Sequence, residues 1–273
     1  MKHALTVTAL LATSLVTSCK KSDSSDGPNN PSCTIGQSQL IEQKATRSGG
    51  LIDKTNYTYD AQGRLTEIKY TGPGYIATRA YAYLDDSTVR ISYDDSEDSM
   101  AHSTILQHFD IQKNPIGAEE YYVRRNSPDT LRTYEYKYQY DNTTHHISVM
   151  TVKYNDQTTG INQYAFDYEW LNGNLISQSY GFIKEQYEYL DNTDGSFDFM
   201  PMVTAQWTPW NHNELLRSKN RIKKIAGNGY IITYNDQSFD GNGRITTAKM
   251  NYLKTTSGGG GYDADVVYMY KCK

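Results

Sequence analysis

Residues 57–70, YTYDAQGRLTEIKY, alternate apolar and polar side chains on both sides of an Asp-x-x-Gly turn. A period of two sends successive side chains to opposite faces of a strand. In the turn, Asp bonds the backbone just ahead of it and Gly accepts positive φ. The stretch is therefore a predicted β-hairpin. Its nearest echo is FDGNGRITTAK at 239–249, and turn clusters of related composition recur from Gln39 onward with no helical period between them. That spacing predicts a continuous antiparallel meander.

Strand segments are predicted over 51–60, 64–70, 75–84, 88–93, 100–110, 116–125, 130–140, 147–154, 161–170, 175–182, 183–190, 221–226, 230–239, 244–254 and 263–271. The chain thus holds roughly fourteen to sixteen strands. Open twisted sheets rarely exceed ~10 strands, so the meander is expected to curl into a barrel or half-barrel. The fold class is all-β, in one domain over 33–273.

One segment leaves the pattern. Residues 197–219 carry Pro201 and Pro209, which strand interiors avoid, together with Trp207 and Trp210. Such a segment is expected either to cap the barrel with its tryptophans or to offer them as a platform for a sugar ring or a protein partner. Tyr134, Tyr136 and Tyr138 share one face of the 130–140 strand and join Trp207 and Trp210 as ligand-binding candidates.

Tyrosine dominates the aromatic content, 25 residues against 6 Phe and 3 Trp. It favours strands and tolerates half-wet positions, because the ring buries while the hydroxyl finds a partner. In the 132–140 run four tyrosines alternate with Thr133, Glu135, Lys137 and Gln139. Neither face suits lipid, where Lys or Arg at the bilayer midplane costs ~2–4 kcal/mol. A water-exposed barrel is expected. The net charge of −4, with both signs interspersed, argues against a nucleic-acid surface.

The N-terminus has a different composition. Lys2 and His3 precede a short apolar run and small residues up to Ser18, the pattern of a secretory signal over 1–18. Residues 20–32, KKSDSSDGPNNPS, lack large apolar groups and read as a disordered tether. Of the three cysteines, Cys33 and Cys272 lie at the two ends of the predicted domain. In an exported chain this pair is expected to form a disulfide.

The junction Val16-Thr17-Ser18-Cys19 resembles the bacterial lipoprotein box, which implies lipidation of Cys19 and membrane attachment through the lipid alone. The phrase Tyr-x-Tyr-Asp-x-x-Gly-Arg-Leu-Thr is similar to the tyrosine-aspartate repeats of large bacterial surface and toxin-shell proteins. Signal, tether and Tyr-rich meander together resemble a family of Bacteroidota lipoproteins with a porin-like β fold. That resemblance implies an outer-membrane location, with either side of the membrane open, and supplies no catalytic residues.

Motifs for chemistry are absent: no Gly-x-Ser-x-Gly, no His-Glu-x-x-His, no phosphate-binding loop and no Cys-x-x-Cys. No metal site and no cofactor is expected. The basic run 219–224 reads as a solvated or edge-protecting strand. Two functions follow: a non-enzymatic envelope lipoprotein that binds a glycan or a partner protein, or a hydrolase of extracellular polysaccharide using two of the many strand carboxylates.

Overall fold

The structure is a computed structural model and describes residues 38–48, 50–96, 102–112, 114–123, 130–156, 160–191, 218–256 and 258–272. The lipidation candidate Cys19, the cysteine Cys33, Trp207 and Trp210 lie outside the described residues, as do the signal and the tether.

Sixteen strands follow one another: β1 (Ser38–Arg47), β2 (Gly50–Tyr59), β3 (Leu65–Gly72), β4 (Tyr75–Tyr83), β5 (Thr88–Asp95), β6 (His102–Phe109), β7 (Pro115–Val123), β8 (Thr130–Tyr140), β9 (Ile147–Asp156), β10 (Gly160–Leu171), β11 (Asn174–Tyr180), β12 (Ile183–Tyr189), β13 (Ile222–Gly227), β14 (Tyr230–Phe239), β15 (Ile245–Lys254) and β16 (Gly261–Cys272). Each pairs antiparallel with its sequence neighbour, and β1 pairs with β16, so the sheet closes into a barrel. Ser38 stands opposite Cys272, which puts both ends of the described chain at one rim, here the near rim.

At the near rim the Tyr-Asp phrase has a structural task. Asp60 accepts the backbone N–H groups of Gln62 (3.0 Å) and Arg64 (2.8 Å), and its second oxygen accepts Arg64 Nε at 2.7 Å. Asp240 repeats this with Asn242 and Arg244. Gly63 and Gly243 have φ of 79° and 78°, the left-handed region that favours glycine. The aromatic residue before or near each turn ties the strands together. Tyr59 donates to the Leu40 carbonyl (2.8 Å), Tyr83 to Leu65 (3.0 Å), Tyr140 to Pro115 (2.6 Å), Trp170 Nε1 to Ile147 (2.8 Å) and Tyr189 to Leu175 (2.6 Å). In each case the end of an even-numbered strand grips the start of the strand before it.

Register decides which face is which. Every tyrosine except Tyr121 lies on the inward side of its strand. One contiguous cluster of buried side chains draws on all sixteen strands, including Leu40, Tyr57, Ile68, Tyr136, Val152, Ile225, Ile232 and Tyr270. Toward the near rim and at mid-height the interior is thus a packed core. The outer wall carries Lys54–Glu42, Lys137–Glu135 and Lys224–Glu188 ion pairs at 2.6, 2.9 and 2.7 Å. Charges placed along the strands in this way make a wall for water, the reverse of a lipid-facing barrel.

One expectation needs correction. The basic segment protects no edge, because β13 is paired on both sides, by β12 and β14. A register shift between Glu188 and Tyr189 also breaks its simple alternation, and Ile222 and Ile225 are both buried. A bulge supplies the extra residue that lets two positions of opposite parity face the core.

The two matching turns differ in burial. The Arg244 side chain is 1% exposed and that of Arg64 is 50% exposed. Arg244→Ala is therefore expected to destabilise the fold by about 3 kcal/mol or more, since it strips a buried ion-pair partner, and Arg64→Ala by about 1 kcal/mol or less. Urea denaturation of the two variants checks the contrast; equal losses would contradict it.

Candidate functional site

The inner wall changes character toward the far rim, the end away from Ser38 and Cys272. There Tyr122, Tyr134, Tyr154, Tyr164, Tyr230, Tyr252 and Tyr262 are half-buried, whereas deeper residues such as Tyr136 and Tyr138 are buried. Alternating strand geometry brings these rings to the far end of the barrel, because each lies among the last two or three inward positions before a far-rim turn.

Two aromatic groups result. On β7 to β11 the rings form a continuous series, Tyr122–Tyr134 (5.6 Å between centroids), Tyr134–Tyr154 (5.5 Å), Tyr154–Tyr164 (5.9 Å) and Tyr164–Tyr180 (4.9 Å). Three of these four contacts are tilted or edge-on by about 60°, the favoured geometry of rings packed on one another. On β14 to β16 the arrangement is flatter. Tyr230 and Tyr252 lie 6.3 Å apart with planes 17° apart, and Tyr252 and Tyr262 lie 5.2 Å apart with planes 26° apart.

Inward-facing polar groups stand beside these rings. Glu120 on β7 is 1% exposed and accepts the Tyr136 hydroxyl at 3.3 Å. Its other oxygen is buried without a hydrogen-bond partner. Burial pushes its carboxyl up to about 9, against hydrogen bonds from Ser103, Tyr136 and Tyr122 and the charge of Arg79. Arg79 on β4 and Tyr164 on β10 both interact electrostatically with Glu120, so side chains from well-separated strands converge there. Asp53 on β2 is likewise raised to about 6 by burial. Glu185 on β12 accepts Tyr187 Oη and Gln178 Nε2, both at 2.6 Å, and also Tyr230 Oη.

The sequence candidates divide accordingly. Tyr134 takes part in the β7–β11 series at the far rim. Tyr136 lies beneath it, holding Glu120, and Tyr138 is buried against Gln107 at 3.2 Å. Glu120 and Glu185 are two of the strand carboxylates behind the hydrolase expectation, whereas Tyr230, Tyr252 and Tyr262 are not among the sequence candidates. Among the described residues no group of His, Cys, Asp and Glu is arranged to hold a metal ion. His146 is instead stacked on Trp170 at 4.2 Å.

No family model and no curated protein sequence matches the chain. Among solved structures it is similar to a porin-like protein from Bacteroides uniformis, with a TM-score of 0.59 at 15% identity over 88% of this chain and 98% of that one. A porin-like protein from Bacteroides vulgatus gives a TM-score of 0.40 at 11% identity over 85% of this chain and 98% of that one. The first likeness shows a porin-like fold, in agreement with the closed sixteen-strand barrel.

The Glu120 carboxyl generates a pH prediction. Its folded value lies far above the ordinary one, so between about 4.5 and 9 the folded state holds a proton that the unfolded chain releases, and stability falls as pH rises. Glu120→Gln is expected to match wild type near the lower end of that window. Its advantage then grows by up to ~1.4 kcal/mol per pH unit toward the upper end. Thermal denaturation at several pH values measures this; an advantage that does not change with pH would contradict it.

Proposed function

We propose that the protein is a lipid-anchored component of the bacterial cell envelope, at the outer membrane, whose barrel binds a glycan at its tyrosine-lined far rim without catalysing a reaction. The observation that carries this reading is the placement of half-buried tyrosines and hydrogen-bonded carboxylates at one end of an otherwise packed interior, inside a charged outer wall. Ligand sites combine aromatic surface with a few convergent polar groups, and sugars need both.

The hydrolase alternative requires two accessible carboxyl groups facing each other. Of the inward carboxyls, Glu120 is 1% exposed, Glu185 is held by three donors, and Asp95 accepts Tyr93 Oη at 3.0 Å. Asp53 and Glu120 both combine a raised value with an oxygen lacking a hydrogen-bond partner, and of the two only Asp53 is not fully buried. Binding is the better supported reading. Trp207 and Trp210 remain candidates for a contact outside the described residues; the described residues that bracket their segment, Asp191 and Ser218, belong to the near rim.

Anchoring would use Cys19, and a Cys33–Cys272 bridge would staple the near rim. Cys272 faces Ser38, five residues beyond Cys33, a stretch that spans at most ~17 Å. Closure thus leaves the two cysteines within reach of each other.

Three measurements test the reading. Cys19→Ala should move the protein from the membrane to the soluble fraction; retention at the membrane would refute the anchor. Mass spectrometry of the non-reduced protein should recover a Cys33–Cys272 peptide, and two free thiols would refute the bridge. A glycan array probed with the wild-type barrel should show selective binding, whereas binding to no glycan would refute the central function.

A further inference from the structure

Both ring contacts on β14 to β16 are stacked, whereas the β7–β11 series mixes stacked with tilted and edge-on contacts, and a glycine sets the position of the first ring of the β14–β16 group. Gly227 pairs with Tyr230 across the turn between β13 and β14. A Cβ at Gly227 would stand 2.5 Å from two ring atoms of Tyr230 and 2.8 Å from its hydroxyl oxygen. The Tyr230 ring therefore lies along the inner wall over the Gly227 backbone, where any side chain would lift it. Lying across β13 in this way, it reaches Glu185 on β12 with its hydroxyl.

The rings of Tyr252 and Tyr262 continue at small interplanar angles on the next two strands, like overlapping shingles. The Arg47 guanidinium on β1 sits 5.7 Å from the Tyr262 ring centroid and ends the row. One surface therefore crosses from β12 to β1, with a carboxylate at one end, a guanidinium at the other and three half-buried rings between them.

The geometry points to this row as the glycan site itself. It would take a linear oligosaccharide laid flat along the shingles, with ring-to-ring steps of 6.3 and 5.2 Å suited to successive pyranose units. C–H faces of the sugars stack on the tyrosines, one hydroxyl donates into the acceptor capacity that Glu185 keeps beside its three protein donors, and the Arg47 guanidinium donates to hydroxyl or carboxylate oxygens at the other end. The inference rests on the glycan-binding reading and narrows it to an extended chain on one wall. The β7–β11 rings, most of them tilted or edge-on to one another, present no comparable row and serve as packing.

The test titrates the wild-type protein and its variants calorimetrically with α- and β-linked glucan, xylan, mannan and polyuronate fragments, from monosaccharide to hexasaccharide. Affinity should rise with chain length until the three rings are covered. Tyr252→Ala and Gly227→Ala, which removes or lifts one shingle each, should weaken binding about tenfold or more, with Tyr252→Phe and Tyr164→Ala close to wild type. Near-UV circular dichroism identifies variants that have lost the fold, and Gly227→Ala carries the test if Tyr252→Ala is one of them. Loss in Tyr164→Ala with none in Tyr252→Ala or Gly227→Ala would overturn the shingled site and leave the glycan-binding function standing. Absence of binding by wild type to every fragment would overturn both.

Discussion

Eight register pairs between β1 and β16, from Ser38 opposite Cys272 to Thr46 opposite Asp265, join the two ends of the described chain. Through this ladder every strand is hydrogen-bonded on both sides, and the sheet has no edge left to protect. Closure also makes an inside. Once the ring is shut, a one-residue slip anywhere would turn a strand's tyrosines outward and its charges inward. The ladder, the aromatic ties at the near rim and the buried cluster therefore support one another.

Polarity follows from that closed register. A membrane barrel carries its apolar side chains outward; this one gathers its tyrosines and a buried aliphatic cluster inward and carries ion pairs on the outer wall, beside single exposed aliphatics such as Ile76 and Leu253. A porin-like fold is thus combined with an outer wall that carries ion pairs. The interior provides the place where function can sit, and its aromatic character decides what chemistry that place favours. Buried carboxyls such as Glu120 lower stability at neutral pH, and Glu120 is held beneath the far-rim tyrosines by Tyr136. Functional rims often retain groups that a purely structural core would replace.

Much of the fold was legible in the residues, because turn chemistry is local. β14 spans Tyr230–Phe239 as the alternation and its flanking turns predict, and most other strands end within two residues of expectation. β1 was not delimited, since SQLIEQKATR mixes polar and apolar residues around a register shift between Leu40 and Glu42. The bulge near Glu188 and Tyr189 was equally hidden, because alternation describes a strand only until an extra residue shifts it.

The site was harder to read. With a tyrosine at every second position of many strands, nothing in Tyr134, Tyr136 or Tyr138 distinguishes a packed ring from an open one. A local signal did exist: Gly227 faces Tyr230 across a two-residue turn, as Gly72 faces Tyr75, and each glycine lies beneath its tyrosine ring. What no local pattern contains is that Glu185 waits one strand beyond, a fact set by the ladder.

Hydroxyl-radical footprinting in detergent-free buffer, read by mass spectrometry at each tyrosine, tests the inward arrangement most directly. The account predicts fast modification of Tyr121, intermediate rates at Tyr230, Tyr252 and Tyr262, and protection of Tyr136 and Tyr270, which are 1% and 0% exposed. Modification of Tyr136 and Tyr270 as fast as that of Tyr121 would contradict it.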